Sequence, residues 1–201
     1  MAREPATVTA RVGIFGGSFD PVHHGHLAIA LAAIESVPLD RVIFVPARQS
    51  PLKDSRPVAG EADRLTMLEL ATRDEPRFSV SRAELDRPPP SFTVDTLESL
   101  AEEGRLFLIL GADAARDLAR WRSPDRVREL ATIVVAPRAP RAELPVPLRP
   151  WNDDPAAILL DTALMDISAR QLRERASRRL SLRYLVPDGV WRYIEEHKLY
   201  S

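Results

Sequence analysis

Short apolar runs alternate with helical patterns along this chain. Val12 to Phe15 is apolar without interruption, the pattern of a strand buried on both faces. After Gly25, the residues Leu27, Ala28, Leu31, Ala32 and Ile34 recur at helical spacing, and this helix is expected to end near Pro38. Arg41 to Val45 predicts a second strand, closed by Pro46. Glu61 to Arg73 predicts an amphipathic helix with Leu65, Leu68 and Ala71–Thr72 facing inward, and Phe78 to Ser81 a third strand. A proline turn, Arg87 to Ser91, leads to a helix over Thr93 to Glu103 with Leu97 and Leu100 inward. Arg105 to Leu110 is the most apolar strand, and a short helix carries Ala114 to Trp121. Ser123-Pro124 pairs a cap residue with a first-turn proline for a helix to Leu130. Ile133 to Ala136 and Ala157 to Leu160 predict the last strands. Ser168 starts a helix with Leu172, Ala176 and Leu180 on one face, and Pro187 the final one, with Val190 and Ile194 inward.

Strand–helix–strand repetition implies right-handed crossovers and an α/β open parallel sheet. In such sheets ligands sit beyond the carboxyl ends of the strands, where the strand order reverses. The first and fourth strands are expected to flank that point, which would set Gly16–His26 beside Gly111–Asp113. The 201 residues suit one domain, 1–201, with a loose lead-in over about 1–10. Residues 137–156 read as a surface loop rather than a linker: six of the eighteen prolines fall there, and too little chain follows for a second core.

Charge narrows the partners. Twenty-eight basic side chains face twenty-nine acidic ones, which argues against a general nucleic-acid or membrane surface. Cysteine is absent, no run reaches membrane-spanning length and the first residues do not resemble a signal peptide, so the cytoplasm is the simplest address. Only Lys53 and Lys198 are lysine. A lone arginine is therefore a weak signal here, and Lys53, in a loop over Pro46 to Pro57, a stronger one.

Three of the four histidines lie in Gly16-Gly17-Ser18-Phe19-Asp20-Pro21-Val22-His23-His24-Gly25-His26. The order is strand, glycine pair, helix start. Glycines allow a sharp turn and close approach of a ligand, and the helix N-terminus offers free N–H groups to an anion. Neither GxGxxG nor GxxxxGK[ST] is present. Solvated histidines, or a metal held by His23, His24 and His26, are the other readings; closely spaced histidines alone rarely complete a ligand set.

This run resembles the nucleotidylyltransferase signature G-x-F-D-P-x-[HT]-x-G-H, with His23 and His26 at the paired positions and His24 at the variable one. Val45-Pro46 with Lys53, Ser91 to Leu97, Gly111-Ala112-Asp113, Trp121, and Tyr184 to Val190 through Tyr193-Ile194 to Leu199-Tyr200 are similar to bacterial nicotinate mononucleotide adenylyltransferases. The resemblance spans about Val12 to Tyr200. It implies a Rossmann-like domain with a small C-terminal helical part that transfers AMP from ATP to nicotinate mononucleotide, releasing pyrophosphate for NAD biosynthesis. It assigns His23, His26 and Arg173 to catalysis. Gly16, Gly17, Ser18, Phe19, Gly25, Asp113 and Ser168 would meet ATP, with Asp113 on a ribose hydroxyl unless it caps a helix. Lys53, Thr93 and Trp121 would meet the acceptor, with Trp121 stacked on its pyridine ring. Mg²⁺ would come with ATP, held mostly by phosphates and water.

The family's second signature, Ile-Ser-Ser-Thr-x-x-Arg, is only partly kept in Ile167-Ser168-Ala169-Arg170-Gln171-Leu172-Arg173. That leaves room for a nucleotide-binding module without catalysis. Another adenylyl- or cytidylyltransferase, such as pantetheine-phosphate adenylyltransferase, is the nearer alternative, although that family usually has threonine where this chain has His23.

Overall fold

Alternate residues of the central strands face two different cores, which accounts for the unbroken apolar runs. The computed structural model describes residues 9–49, 56–137, 157–160, 162 and 165–201. The strands are β1 (Arg11–Gly17), β2 (Arg41–Pro46), β3 (Phe78–Val80), β4 (Arg105–Gly111), β5 (Ala131–Ala136) and β6 (Ile158–Leu159). They pair in parallel in the order β3-β2-β1-β4-β5-β6. Phe15, Phe44, Phe107, Ile109 and Val134 enter one core, and Ile14, Val45, Leu108, Leu110 and Val135 the other.

Helices cover both faces. On the first are α1 (His24–Ser36), α2 (Glu61–Thr72), α6 (Ala169–Ser177) and α7 (Asp188–Glu196). On the second are α3 (Thr93–Ser99), α4 (Ala112–Arg116) and α5 (Pro124–Leu130). This is the Rossmann-like open sheet the repeating pattern predicts. The order reverses between β1 and β4, whose residues Phe15 and Ile109 are in register, so both deliver their carboxyl ends to the same crevice.

Several local expectations need correction. On α2 the fully buried positions include Arg64 and Met67 beside Leu68, while Leu65 is only half-buried. Arg64 is 1% exposed and donates from Nη1 to the carbonyls of Ser18 and Ala47, both at 2.8 Å. Leu180 does not extend the α6 face: Arg179 takes a left-handed φ of 57° just after the helix, and Leu180 lies 41% exposed. Ser123 is the N-cap and Pro124 the first residue of α5, which ends at Leu130 as the pattern predicts; only the side-chain cap bond is missing, because the Ser123 φ of 49° departs from the extended backbone that a capping hydroxyl needs. The helix starting at Thr93 stops at Ser99, and a 3₁₀ turn over Ala101–Glu103 completes the span. The lead-in up to residue 8 and the proline-rich loop from 138 to 156 lie outside the described residues.

Arg64 carries a testable consequence. Arg64→Met keeps most of the buried stem but removes the charged donor shared by the Ser18 and Ala47 carbonyls. The variant should lose about 2–4 kcal/mol of stability, since a hydrogen bond to a charged group contributes roughly 1.5–3 kcal/mol. Chemical denaturation reads this directly; a midpoint within error of wild type would mean water replaces the guanidinium.

Candidate functional site

The β1–α1 turn is built around a residue that is not glycine. Phe19 holds the left-handed φ, 45°, while Gly16 and Gly17 belong to the end of β1. The glycines serve by lacking a side chain. A Cβ on Gly17 would meet the Phe19 ring at 3.0 Å, and one on Gly16 would project into open space at the cleft. Gly25 has a similar reason, since its Cβ would lie 3.1 Å from the His23 ring. The Phe19 ring is buried edge-on against Phe15 and His26.

His23 precedes α1 in extended backbone and His26 lies in the first turn. Their rings stack with centroids 3.8 Å apart. The His23 N–H donates to His26 Nδ1 at 3.2 Å. A neutral imidazole that accepts at Nδ1 carries its proton on Nε2, so His26 is set as an Nε2–H donor. The His26 N–H goes to the His23 carbonyl at 2.9 Å, and His23 Nδ1 is buried without a hydrogen bond. Burial, with a smaller push from His24, lowers the His23 pKa to about 4, so its ring is neutral near pH 7. A stacked pair with a neutral, buried His23 and a His26 that accepts at Nδ1 can present N–H donors to an anion.

Asp20, which the sequence reading leaves out of the site, is 3% exposed. It accepts from the Val58 N–H at 2.7 Å, the Ala59 N–H at 3.1 Å and the Tyr200 hydroxyl at 2.7 Å. Arg173 joins this corner, donating from Nη1 to the Asp20 carbonyl at 2.6 Å. Ser168 caps α6 as expected: its Oγ accepts from the Gln171 N–H at 3.3 Å, and Gln171 Oε1 accepts from the Ser168 N–H at 3.1 Å.

Across the sheet, on the α3 side, a cavity of about 240 Å³ opens at the carboxyl ends of β1, β2 and β4. Phe92, Thr93 and Trp121 line it, and Gly16, Gly17 and Ser18 form the wall shared with the histidine turn. His23 and His26 do not line it, so the crevice is a two-part site divided by the end of β1. Trp121 is half-buried and packs against the second core, with its Nε1 buried and unpaired. In the cavity wall, Thr96 Oγ1 donates to Glu84 at 2.7 Å and accepts from Arg87 at 2.7 Å, which ties α3 to the Glu84–Arg87 segment. Asp113 is the second residue of α4, whose cap is Gly111; it pairs with Arg116 at 3.0 Å. Lys53 lies outside the described residues. Among the described residues no group of His, Asp or Glu side chains could hold a metal, and no helix is long and apolar enough to cross a membrane.

Comparison with known proteins gives a consistent result. The family model described as cytidylyltransferase-like matches residues 14–175. A probable nicotinate-nucleotide adenylyltransferase of Roseiflexus sp. (strain RS-1) is 45% identical, over 96% of this chain and 98% of its own. One from Thermus thermophilus is 46% identical, over 94% and 99%. The fold is similar to that of Plasmodium falciparum nicotinic acid mononucleotide adenylyltransferase complexed with NaAD, with a TM-score of 0.78 at 17% identity, covering 95% of this chain and 97% of that one. The same protein complexed with APC gives a TM-score of 0.74 at 16% identity, covering 95% and 97%.

The depressed His23 pKa predicts acid sensitivity. Between its unfolded value of 6.5 and its folded value of about 4, the unfolded chain binds a proton that the folded chain refuses. This contribution is complete above pH 6.5 and is lost as pH falls toward 4. It amounts to roughly 3 kcal/mol at 1.36 kcal/mol per pKa unit. His23→Asn should lose about that much less stability over the same window, as read from denaturation curves at pH 7 and pH 4.5. Parallel losses in the two proteins would place the acid sensitivity elsewhere.

Proposed function

The chain belongs to the cytidylyltransferase-like family and, within it, to the nicotinate-nucleotide adenylyltransferases, and from that premise we propose how its two-part site moves AMP from ATP to nicotinate mononucleotide. The observation that carries the proposal is the placement of a ring-sized, tryptophan-walled cavity and a stacked histidine pair on opposite sides of the Gly16–Ser18 wall. A pyridine ring in the cavity would hold the acceptor phosphate near that wall. ATP on the α1 side would bring its α-phosphorus to the same place.

The acceptor phosphate, with a second pKa of about 6, is largely dianionic at neutral pH and needs no general base. It attacks the α-phosphorus of ATP, the α–β phosphoanhydride bond breaks, and pyrophosphate leaves with the electron pair. The protein aligns the two phosphates and matches the charge that develops on their oxygens. His26, through Nε2–H, and His23 donate to those oxygens. The open space beside Gly16 lets the phosphates approach the backbone. The capped start of α6 and the Arg173 guanidinium face the β- and γ-phosphates. Asp113 takes a ribose hydroxyl, and Thr93, Lys53 and Trp121 meet the acceptor. Mg²⁺ would come with ATP, held mostly by its phosphates and water. A cytoplasmic location agrees with these substrates.

Pyrophosphate release by the purified protein, compared across nicotinate mononucleotide, nicotinamide mononucleotide and pantetheine phosphate, tests the reaction. Turnover only with pantetheine phosphate, or ATP binding without turnover, would overturn it. His26→Ala should leave the melting temperature near wild type and lower kcat by roughly two to four decades, the range for losing a transition-state donor. His24→Ala should do far less, and near-normal turnover in His26→Ala would remove that residue from catalysis.

The cavity gives a separate expectation. Trp121→Ala should raise the KM for the acceptor by roughly five- to a hundred-fold, given about 1–3 kcal/mol for a ring stacked on an aromatic. The KM for ATP should stay close to wild type, because ATP lies across the β1 wall. Loss of affinity for both substrates together with an early melt would make Trp121 a packing residue alone.

A further inference from the structure

Asp20 and Arg173 are neighbours that do not form a close ion pair. Arg173 Nη1 lies 3.7 Å from Asp20 Oδ2, although the same nitrogen donates to the Asp20 backbone carbonyl at 2.6 Å. A charge-assisted bond between such groups is normally about 2.7–2.9 Å. The buried carboxylate has other donors. Oδ2 takes the Val58 N–H, and Oδ1 takes both the Ala59 N–H and the Tyr200 hydroxyl. Three neutral donors thus satisfy a carboxylate that is 3% exposed, and the arginine beside it keeps a side chain 29% exposed.

Tyr200 comes from the far end of the fold, just beyond α7, with its ring against the first core. Its phenol is held neutral: burial and the Asp20 carboxylate both push its pKa well above the ordinary tyrosine value. It therefore stays a donor at any working pH. If the hydroxyl were removed, Oδ1 would keep one donor, and two cations face the carboxylate: Arg173, 3.7 Å from Oδ2, and Arg64, whose Nη1 is already held by the Ser18 and Ala47 carbonyls. A shift of about 1 Å would close Arg173 and Asp20 into a direct salt bridge, which a buried carboxylate short of a donor strongly favours.

We propose that the Tyr200 hydroxyl is a positioning group for ATP: by satisfying Asp20 it keeps Arg173 from collapsing onto that carboxylate and leaves the guanidinium turned to the triphosphate. The inference rests on the reading of Arg173 as a phosphate ligand, and it adds a residue outside both signatures to the ATP site. Tyr200 itself touches no substrate; it acts through Arg173.

A double-mutant cycle tests this. Tyr200→Phe keeps the ring and removes one oxygen. It should raise the ATP KM, and the ATP Kd measured by calorimetry without acceptor, by about tenfold, equivalent to roughly 1.4 kcal/mol. The acceptor KM should move by less than about twofold. Arg173→Ala should weaken ATP more, Arg170→Ala should stay near wild type, and adding Tyr200→Phe to Arg173→Ala should change nothing further. Unchanged ATP affinity in Tyr200→Phe, beside a clear loss in Arg173→Ala, would overturn the positioning role while leaving Arg173 as a phosphate ligand. Additive losses would overturn it too, since Tyr200 would then act by another route. Normal ATP affinity in Arg173→Ala would instead remove the reading of Arg173 on which the inference stands.

Discussion

The structure of the site depends on one buried carboxylate. Asp20 sits between the end of β1 and the start of α1 and collects donors from the approach to α2 and from Tyr200, while Arg173 of α6 holds its carbonyl. Arg64 braces the same turn from below through the Ser18 and Ala47 carbonyls. Ser18 to His23 is thus fixed mainly by buried polar bonds, which are directional. Apolar packing alone would leave the turn able to slide. The strain of a left-handed Phe19, of order 1–3 kcal/mol for such residues, is held by that over-determination and by the packing of its ring against Phe15, Phe44 and His26. Fixing the turn fixes the histidine pair that begins α1.

The sheet edge then divides the labour. The cavity side is mostly apolar, with Glu84 and Thr96 in its wall and Arg87 bonded to Thr96, which would suit a ring held in one orientation. The α1 side offers N–H groups, imidazoles and one guanidinium. Keeping His23 neutral in the free protein avoids placing a cation beside the positive end of a helix. A bound triphosphate would reverse that balance and favour the protonated ring. In the proposed reading the cation that meets ATP is the Arg173 guanidinium.

Much of this was legible in the residues. Buried parallel strands read as short apolar runs, so the strands, their order of connection and the crevice between β1 and β4 followed from pattern and topology. The glycine–histidine run and Trp121 pointed to this crevice, and Trp121 lines its cavity. What escaped were residues whose role is set by partners far along the chain. Asp20 stood inside the signature, but its donors are 38 to 180 residues away, and no local spacing reveals them. Arg64 is not among the inward positions that helical periodicity picks out; only the position of the Ser18 and Ala47 carbonyls explains an arginine on the buried face. Leu180 failed for a related reason: a single left-handed residue, Arg179, redirects the chain, and helical periodicity cannot see it.

The incomplete second signature can be understood on the same terms. Replacing its second serine and its threonine by Ala169 and Arg170 removes two hydroxyls from the first turn of α6. It does not remove the backbone donors there. Ser168 and Gln171 close a reciprocal cap that uses the Gln171 N–H, and the first N–H groups of a helix, here those of Ala169 and Arg170, have no intrahelical acceptor. Arg170 does not fill the gap from its side chain, which is 82% exposed and lies 3.9 Å from Glu174 along the helix surface. Two hydroxyl donors are therefore missing, while the amides and Arg173 remain. An anion at this helix end must rely more heavily on the guanidinium than it would with the full signature. The orientation of Arg173 then matters more, and so does every group that restrains it.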